Sequence, residues 1–122
     1  MQKLIFIVDD NDANLTLAAS SLEAEFRVLT MPSAKKMFAV IEKKLPDLIL
    51  LDVEMPEMDG FEALAKLKGS PQWKEIPVLF ITGYNDKNLK TDAIKAGALE
   101  VFNKPIVPAA LLECVKKYFP LD

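Results

Sequence analysis

Short apolar runs recur along the chain, and the segments between them place apolar residues at helical spacing. The runs are Leu4-Ile5-Phe6-Ile7-Val8, the weaker Arg27-Val28-Leu29, Leu48-Ile49-Leu50-Leu51, Val78-Leu79-Phe80-Ile81 and Leu99 to Phe102. A run that is apolar throughout fits a strand covered on both faces, and runs alternating with helical patterns mark βαβ units and a parallel sheet. The pattern predicts strands over about Lys3–Asp9, Arg27–Leu29, Asp47–Asp52, Val78–Thr82 and Leu99–Phe102. The arginine and brevity of the second suit a sheet edge.

Helix signals fill the gaps. Asn11 or Asp12 caps a first helix whose inner stripe is Leu15, Ala18 or Ala19, Leu22 and Phe26. Ser33 caps a second, which buries Met37 or Phe38 and Ile41 and stops before Pro46. A third runs from near Gly60 to about Lys68 and ends at Gly69-Ser70-Pro71. Asp86 caps a fourth, closed by Gly97, a favoured residue just past a helix end. Pro108 opens a fifth that turns Leu111, Leu112, Val115 and Phe119 inward. The predicted architecture is α/β: a doubly wound, five-stranded parallel sheet of order 2-1-3-4-5 with five helices, one domain over residues 1–122.

Composition narrows the function classes. With 122 residues, 51% hydrophobic and 27% charged, the chain is sized to bury roughly two-thirds of its unfolded surface without staples. A net charge of −3 argues against direct contact with nucleic acid or an anionic membrane. No run is long and apolar enough to span a bilayer. The N-terminus enters a strand with no signal segment, so a cytoplasmic location is expected. Histidine is absent, which excludes a Ser-His-Asp triad, a His-ligated zinc site and a phosphohistidine on this chain. Cys114 is the single cysteine, so no internal disulfide forms. With Leu111, Val115 and Tyr118 on its helical face, it reads as a buried, inert thiol.

The strand ends carry the chemistry. Asp9 and Asp10 end the first run, Asp52 the third and Thr82 the fourth, and Lys104 follows the fifth. In an open parallel sheet, ligands bind beyond the carboxyl ends of the strands, so acids, hydroxyl and amine converge. Each has an ordinary structural reading alone: Asp-Asp turns a chain and caps a helix, and a lysine is commonly a solvated charge. Their coincidence at one sheet edge favours chemistry. A like-charge pair at about 4 Å costs on the order of 4 kcal/mol at an effective dielectric near 20. The trio therefore needs a cation or raised pKa values. Oxygen ligands alone point to a hard ion, Mg²⁺ before Mn²⁺ or Ca²⁺, and Mg²⁺ commonly bridges to phosphate. Lys104 and Thr82 supply donors for phosphoryl oxygens. Asp52 is the candidate nucleophile, because aspartate can form an acyl phosphate and it lies centrally in the predicted strand order.

From end to end the chain resembles a response-regulator receiver domain of two-component signalling, on a flavodoxin-like fold. The matching stretches are Ile7-Val8-Asp9-Asp10-Asn11, the run from Leu51-Asp52 to Asp59-Gly60, Ile81-Thr82-Gly83-Tyr84 and Lys104-Pro105. The resemblance implies that Asp52 takes phosphate from a phosphohistidine on a histidine kinase or histidine phosphotransfer protein, and that phosphorylation switches binding to a downstream protein. It implies Mg²⁺ held by Asp10 directly, by Asp9 mostly through water, by Asp52 and by the backbone carbonyl of Glu54. It also implies that Lys104 pairs with the phosphoryl group, that Thr82 turns toward it, and that the Lys104-Pro105 peptide is cis. Gly60 suits a tight entry to the third helix, and Gly83 leaves room over the site. Glu54 and Tyr84 stand where members of this family control water access to the acyl phosphate, and their size favours slow hydrolysis.

One position departs from the family. Many receivers carry Tyr or Phe three residues before the lysine, where this chain has Val101. Phe102 falls on the opposite strand face. The coupling of threonine to an aromatic rotamer is therefore expected to be small or differently routed. The sequence ends soon after the fifth helix, so no output domain is expected. Asp9 to Asn14 and Lys104-Pro105-Ile106 look more like receivers of hybrid kinases and phosphorelays than of DNA-binding regulators. A receiver catalyses its own phosphorylation and is not a turnover enzyme. The alternatives are a phospho-independent interaction module on the same fold and a haloacid-dehalogenase-type phosphatase with Glu54 as acid–base. A flavodoxin-like cofactor binder is disfavoured, since Asp9-Asp10 would repel its phosphate.

Overall fold

The computed structural model describes residues 2–120; Met1, Leu121 and Asp122, the outermost positions of the expected domain, lie outside them. The strands are β1 (Leu4–Val8), β2 (Arg27–Met31), β3 (Leu48–Asp52), β4 (Val78–Thr82) and β5 (Glu100–Asn103). They alternate with helices α1 (Asp12–Leu22), α2 (Ala34–Ile41), α3 (Gly60–Lys68), α4 (Lys87–Ala96) and α5 (Pro108–Lys116). All pairings are parallel and the order is β2-β1-β3-β4-β5, as the apolar pattern predicts.

The three uninterrupted apolar runs form the central strands, buried along their whole length. Strand alternation divides their side chains between two cores. Phe6, Val8, Ile49, Leu51 and Phe80 face Met37, Phe38, Leu64 and Leu67 of α2 and α3. Ile5, Ile7, Leu48, Leu50, Leu79 and Ile81 face Leu15, Ala18 and Leu22 of α1 and Leu111 and Val115 of α5. Val101 packs against the first core and Phe102 against the second.

Several boundaries differ from the sequence reading. β2 continues through Thr30 and Met31, because both pair with β1 and Met31 O accepts the Asp9 N–H at 3.1 Å. Ladder pairing, not apolarity, sets its length. β5 begins at Glu100 and ends at Asn103, leaving Leu99 48% exposed. α1 stops at Leu22, and of its two expected caps Asn11 is the one used. Phe26 lies beyond that helix, still buried, with its ring 5.7 Å from Phe119. Met37 and Phe38 are both buried. In α5 the buried residues are Leu111, Cys114 and Val115, while Leu112 and Phe119 are partly covered.

The helix that follows β3 is placed tightly. Asp59 and Glu62 form a reciprocal capping box at the start of α3. Gly60 donates to Val53 O at 2.8 Å. A Cβ on Gly60 would lie 2.7 Å from Asp52 O and 2.8 Å from Val53 Cα. Only glycine allows the helix to start so close to the end of β3.

Candidate functional site

The register aligns the strand ends. Val8 pairs with Leu51, Asp52 with Ile81, and Thr82 with Asn103. Asp9, Asp52, Thr82 and Lys104 consequently stand along one edge. Asp9 and Asp52 are 2% and 1% exposed, whereas Asp10 is exposed. Lys104 Nζ reaches Asp9 Oδ2 at 3.1 Å and Asp52 Oδ1 at 3.2 Å. The other Asp9 oxygen accepts the Asn11 N–H at 2.9 Å. Lys104 is anchored by its backbone N–H to Thr82 O at 2.7 Å, and its bond to Pro105 is cis, as the resemblance implied.

One ammonium serving two buried carboxylates leaves Asp52 short of compensation. Burial and then the charge of Asp9 outweigh Lys104 and push its carboxyl up to about 7. Burial alone would lower the Lys104 ammonium, but Asp52 and Asp9 prevail and raise it. Lys104 thus gives one positive charge to Asp9 and Asp52 and makes no ion pair with Asp10. One carboxylate oxygen each from Asp9, Asp10 and Asp52 lies within 4.8 Å of the others. A set of oxygen donors this compact fits a small hard divalent ion.

Thr82 is fully buried and completely satisfied. Its hydroxyl donates to Glu54 Oε2 at 2.7 Å and accepts the Tyr84 N–H at 3.1 Å. The Gly83 N–H lies 3.4 Å from Glu54 Oε1. This Glu54 side-chain bridge is not legible in the sequence, since nothing local links a residue after β3 to one ending β4. Gly83 is open, with no atom near the place a Cβ would occupy. Tyr84 is 61% exposed and shares a cavity of about 220 Å³ with Val101, Asn103, Lys87 and Lys90. Its carbonyl accepts Asn103 Nδ2 at 2.7 Å.

A second polar cluster, absent from the sequence reading, joins β5 to α5. Glu100 accepts hydrogen bonds from Cys114 Sγ, Lys117 Nζ and Tyr118 OH. Burial would raise its carboxyl, but these three donors hold it below the usual range. Burial first, then the bond to Glu100, push the Cys114 thiol up to about 12. Cys114 is buried, as expected, and has a polar partner in Glu100.

The response regulator receiver domain family matches residues 5–116. The chain belongs to this family. Among relatives of this receiver, the response regulator PleD of Caulobacter vibrioides is 38% identical over 95% of the chain, which spans 26% of PleD. The polar-differentiation response regulator DivK of Brucella ovis is 31% identical, with 97% of each protein covered. The solved structure of chemotaxis protein CheY4 of Vibrio cholerae superposes with a TM-score of 0.90 at 27% identity, covering 97% of this chain and 99% of that one. The five-stranded order of the receiver fold is the one observed here. Asp9, Asp10 and Asp52 make up its acidic pocket in this chain. Among the described residues, no helix of the receiver is long and apolar enough to cross a membrane.

Proposed function

We propose that this receiver accepts a phosphoryl group on Asp52 from a phosphohistidine of a histidine kinase or histidine phosphotransfer protein, and that the modified form changes its affinity for a downstream protein. The observation that carries the reading is Lys104 Nζ between Asp9 and Asp52, beside a central, 1% exposed carboxylate. An Asp52 oxygen attacks phosphorus, the new O–P bond forms as the donor P–N bond breaks, and the imidazole leaves with the bonding pair. Lys104 transfers its interaction from Asp52 to a phosphoryl oxygen, and the Thr82 hydroxyl donates to another. Positioning and charge neutralisation supply most of what such a transfer needs. Asp9, Asp10, Asp52 and the Glu54 backbone carbonyl would hold Mg²⁺, with Mn²⁺ as a substitute. When bound, the ion neutralises charge developing on the transferring group.

The receiver acts on itself and not on an external substrate, in the cytoplasm, with no direct nucleic-acid or membrane contact. Glu54 and Tyr84 flank the route by which water reaches the acyl phosphate. The experiment is incubation with an acyl-phosphate donor and Mg²⁺, read by intact-protein mass. Gain of one phosphoryl group by the wild type and none by Asp52→Asn is the expected result. Equal labelling of both proteins, or of neither, overturns the assignment. Catalytic hydrolysis of phosphate esters in place of stable labelling would favour the phosphatase alternative.

A further inference from the structure

Glu54 is held in an unusual way for a carboxylate beside other carboxylates. Among the described residues it forms no ion pair; Lys104 is committed to Asp9 and Asp52. Glu54 follows Asp52 by two residues and has the same sign of charge as the acidic cluster, which repels it. Hydrogen-bond donors alone hold it: the Thr82 hydroxyl at 2.7 Å and, more weakly, the Gly83 N–H at 3.4 Å. Tyr84 N–H donates into Thr82 Oγ1, which directs the single hydroxyl proton toward Glu54. The carboxyl end of β4 thus presents two donors aimed at one anion, and a side chain of the β3–α3 connection fills the seat.

We propose that the Glu54 carboxylate is an internal anion that occupies the phosphoryl seat in the resting receiver and must leave Thr82 and Gly83 when Asp52 is phosphorylated. This rests on Asp52 as the phosphoacceptor. A phosphoryl group carries more charge than a carboxylate and is tied to Asp52 and Lys104 as well as to Thr82, so it wins the donors. It also repels Glu54 directly. Release of Glu54 cuts the side-chain tie between the β3–α3 and β4–α4 connections. That gives a resting-to-active change without an aromatic ring at position 101. Glu54 is a positioning residue: it acts through Thr82 and touches no reacting atom.

The test uses beryllofluoride with Mg²⁺ as a phosphoryl stand-in, titrated into the full chain and followed by the amide resonances of Gly83 and Tyr84. Loss of a competing charge-assisted hydrogen bond should make Glu54→Ala bind about tenfold more tightly. Glu54→Asp separates competition from charge, because it keeps the charge but is one methylene too short to reach Thr82. It should bind more tightly than the wild type and less tightly than Glu54→Ala, because the remaining charge still repels the phosphoryl stand-in; wild-type affinity for Glu54→Asp would mean that only the charge matters and overturns the proposal. Thr82→Val should abolish most of the gain from Glu54→Ala, whereas an undiminished gain also overturns it. In the wild type itself, whatever the variants do, the labelled Glu54 side-chain carboxyl resonance should shift on saturation. A resonance that stays put rules the displacement out. Failure of the wild type to bind beryllofluoride, or equal binding by Asp52→Asn, overturns the phosphoacceptor assignment and this proposal with it. Normal binding with indifferent Glu54 variants overturns this proposal alone.

Discussion

Asp52 is 1% exposed with Asp9 on one side and Lys104 on the other, so its protonation belongs to the cluster. Its folded pKa of about 7 stands above the ordinary value of 3.8. Between those values the folded protein keeps a proton that the unfolded chain releases. Metal-free stability therefore falls as pH rises through this window and levels off above about pH 7. The loss is on the order of 2–4 kcal/mol. In thermal melts without metal, Asp52→Asn should flatten this slope and be the more stable protein at pH 8. An unchanged slope would place the titrating group elsewhere. Lys104 acts in the opposite sense. Lys104→Met leaves two buried carboxylates without a counter-ion and should cost about 2–4 kcal/mol at pH 8. Added Mg²⁺ should then raise the melting temperature more in this variant than in the wild type, because the ion would replace the missing positive charge. Equal shifts would show that Lys104 does not neutralise the pair.

At the level of elements, the site depends on how strands hand over to helices. The α3 capping box and the close approach of Gly60 to Asp52 O fix the connection that carries Glu54. On the far side, β5 and α5 are joined through Glu100, which collects donors from Cys114, Lys117 and Tyr118. Glu100→Ala should destabilise the receiver by about 1–2 kcal/mol. It should also accelerate alkylation of Cys114 near pH 8, since the bond to Glu100 helps keep the proton on sulfur. Alkylation at the wild-type rate, with stability lost, would mean that burial alone silences the thiol. The caps at Asn11, Ser33 and Asp86 were legible because capping is local to a few residues. The Glu100 cluster was not, because the facing of Cys114 and Glu100 is set by how α5 lies on β5, and the apolar neighbours of Cys114 gave a sufficient local account of its burial. The two extra residues of β2 were missed for a related reason: their place in the sheet comes from pairing with β1, not from their own apolarity.

For the whole molecule, the same logic divides what the sequence tells from what it withholds. The uninterrupted apolar runs set the central strands, the strand order follows from βαβ connectivity, and parallel strands bring their carboxyl ends to one edge. Asp9, Asp52, Thr82 and Lys104 could thus be gathered from sequence. Which side chain bonds which could not, because Lys104 choosing both acids and Thr82 choosing Glu54 depend on distances across connections. Those choices determine how phosphorylation is expected to spread. Position 101 carries no ring to move, Val101 packs against the core shared with α3 while Phe102 packs against the opposite one, and Glu100 fastens β5 to α5. The tie proposed to break is the Glu54–Thr82 bond, between the β3–α3 connection and the end of β4 on the site side. Hydrogen exchange with and without beryllofluoride and Mg²⁺ should therefore change in residues 53–59 and 83–88, with residues 100–103 and 108–116 nearly unaltered. A dominant change in β5 and α5 would show that the receiver repacks its far face despite Val101, and that a downstream partner reads that face and not the loops around Asp52.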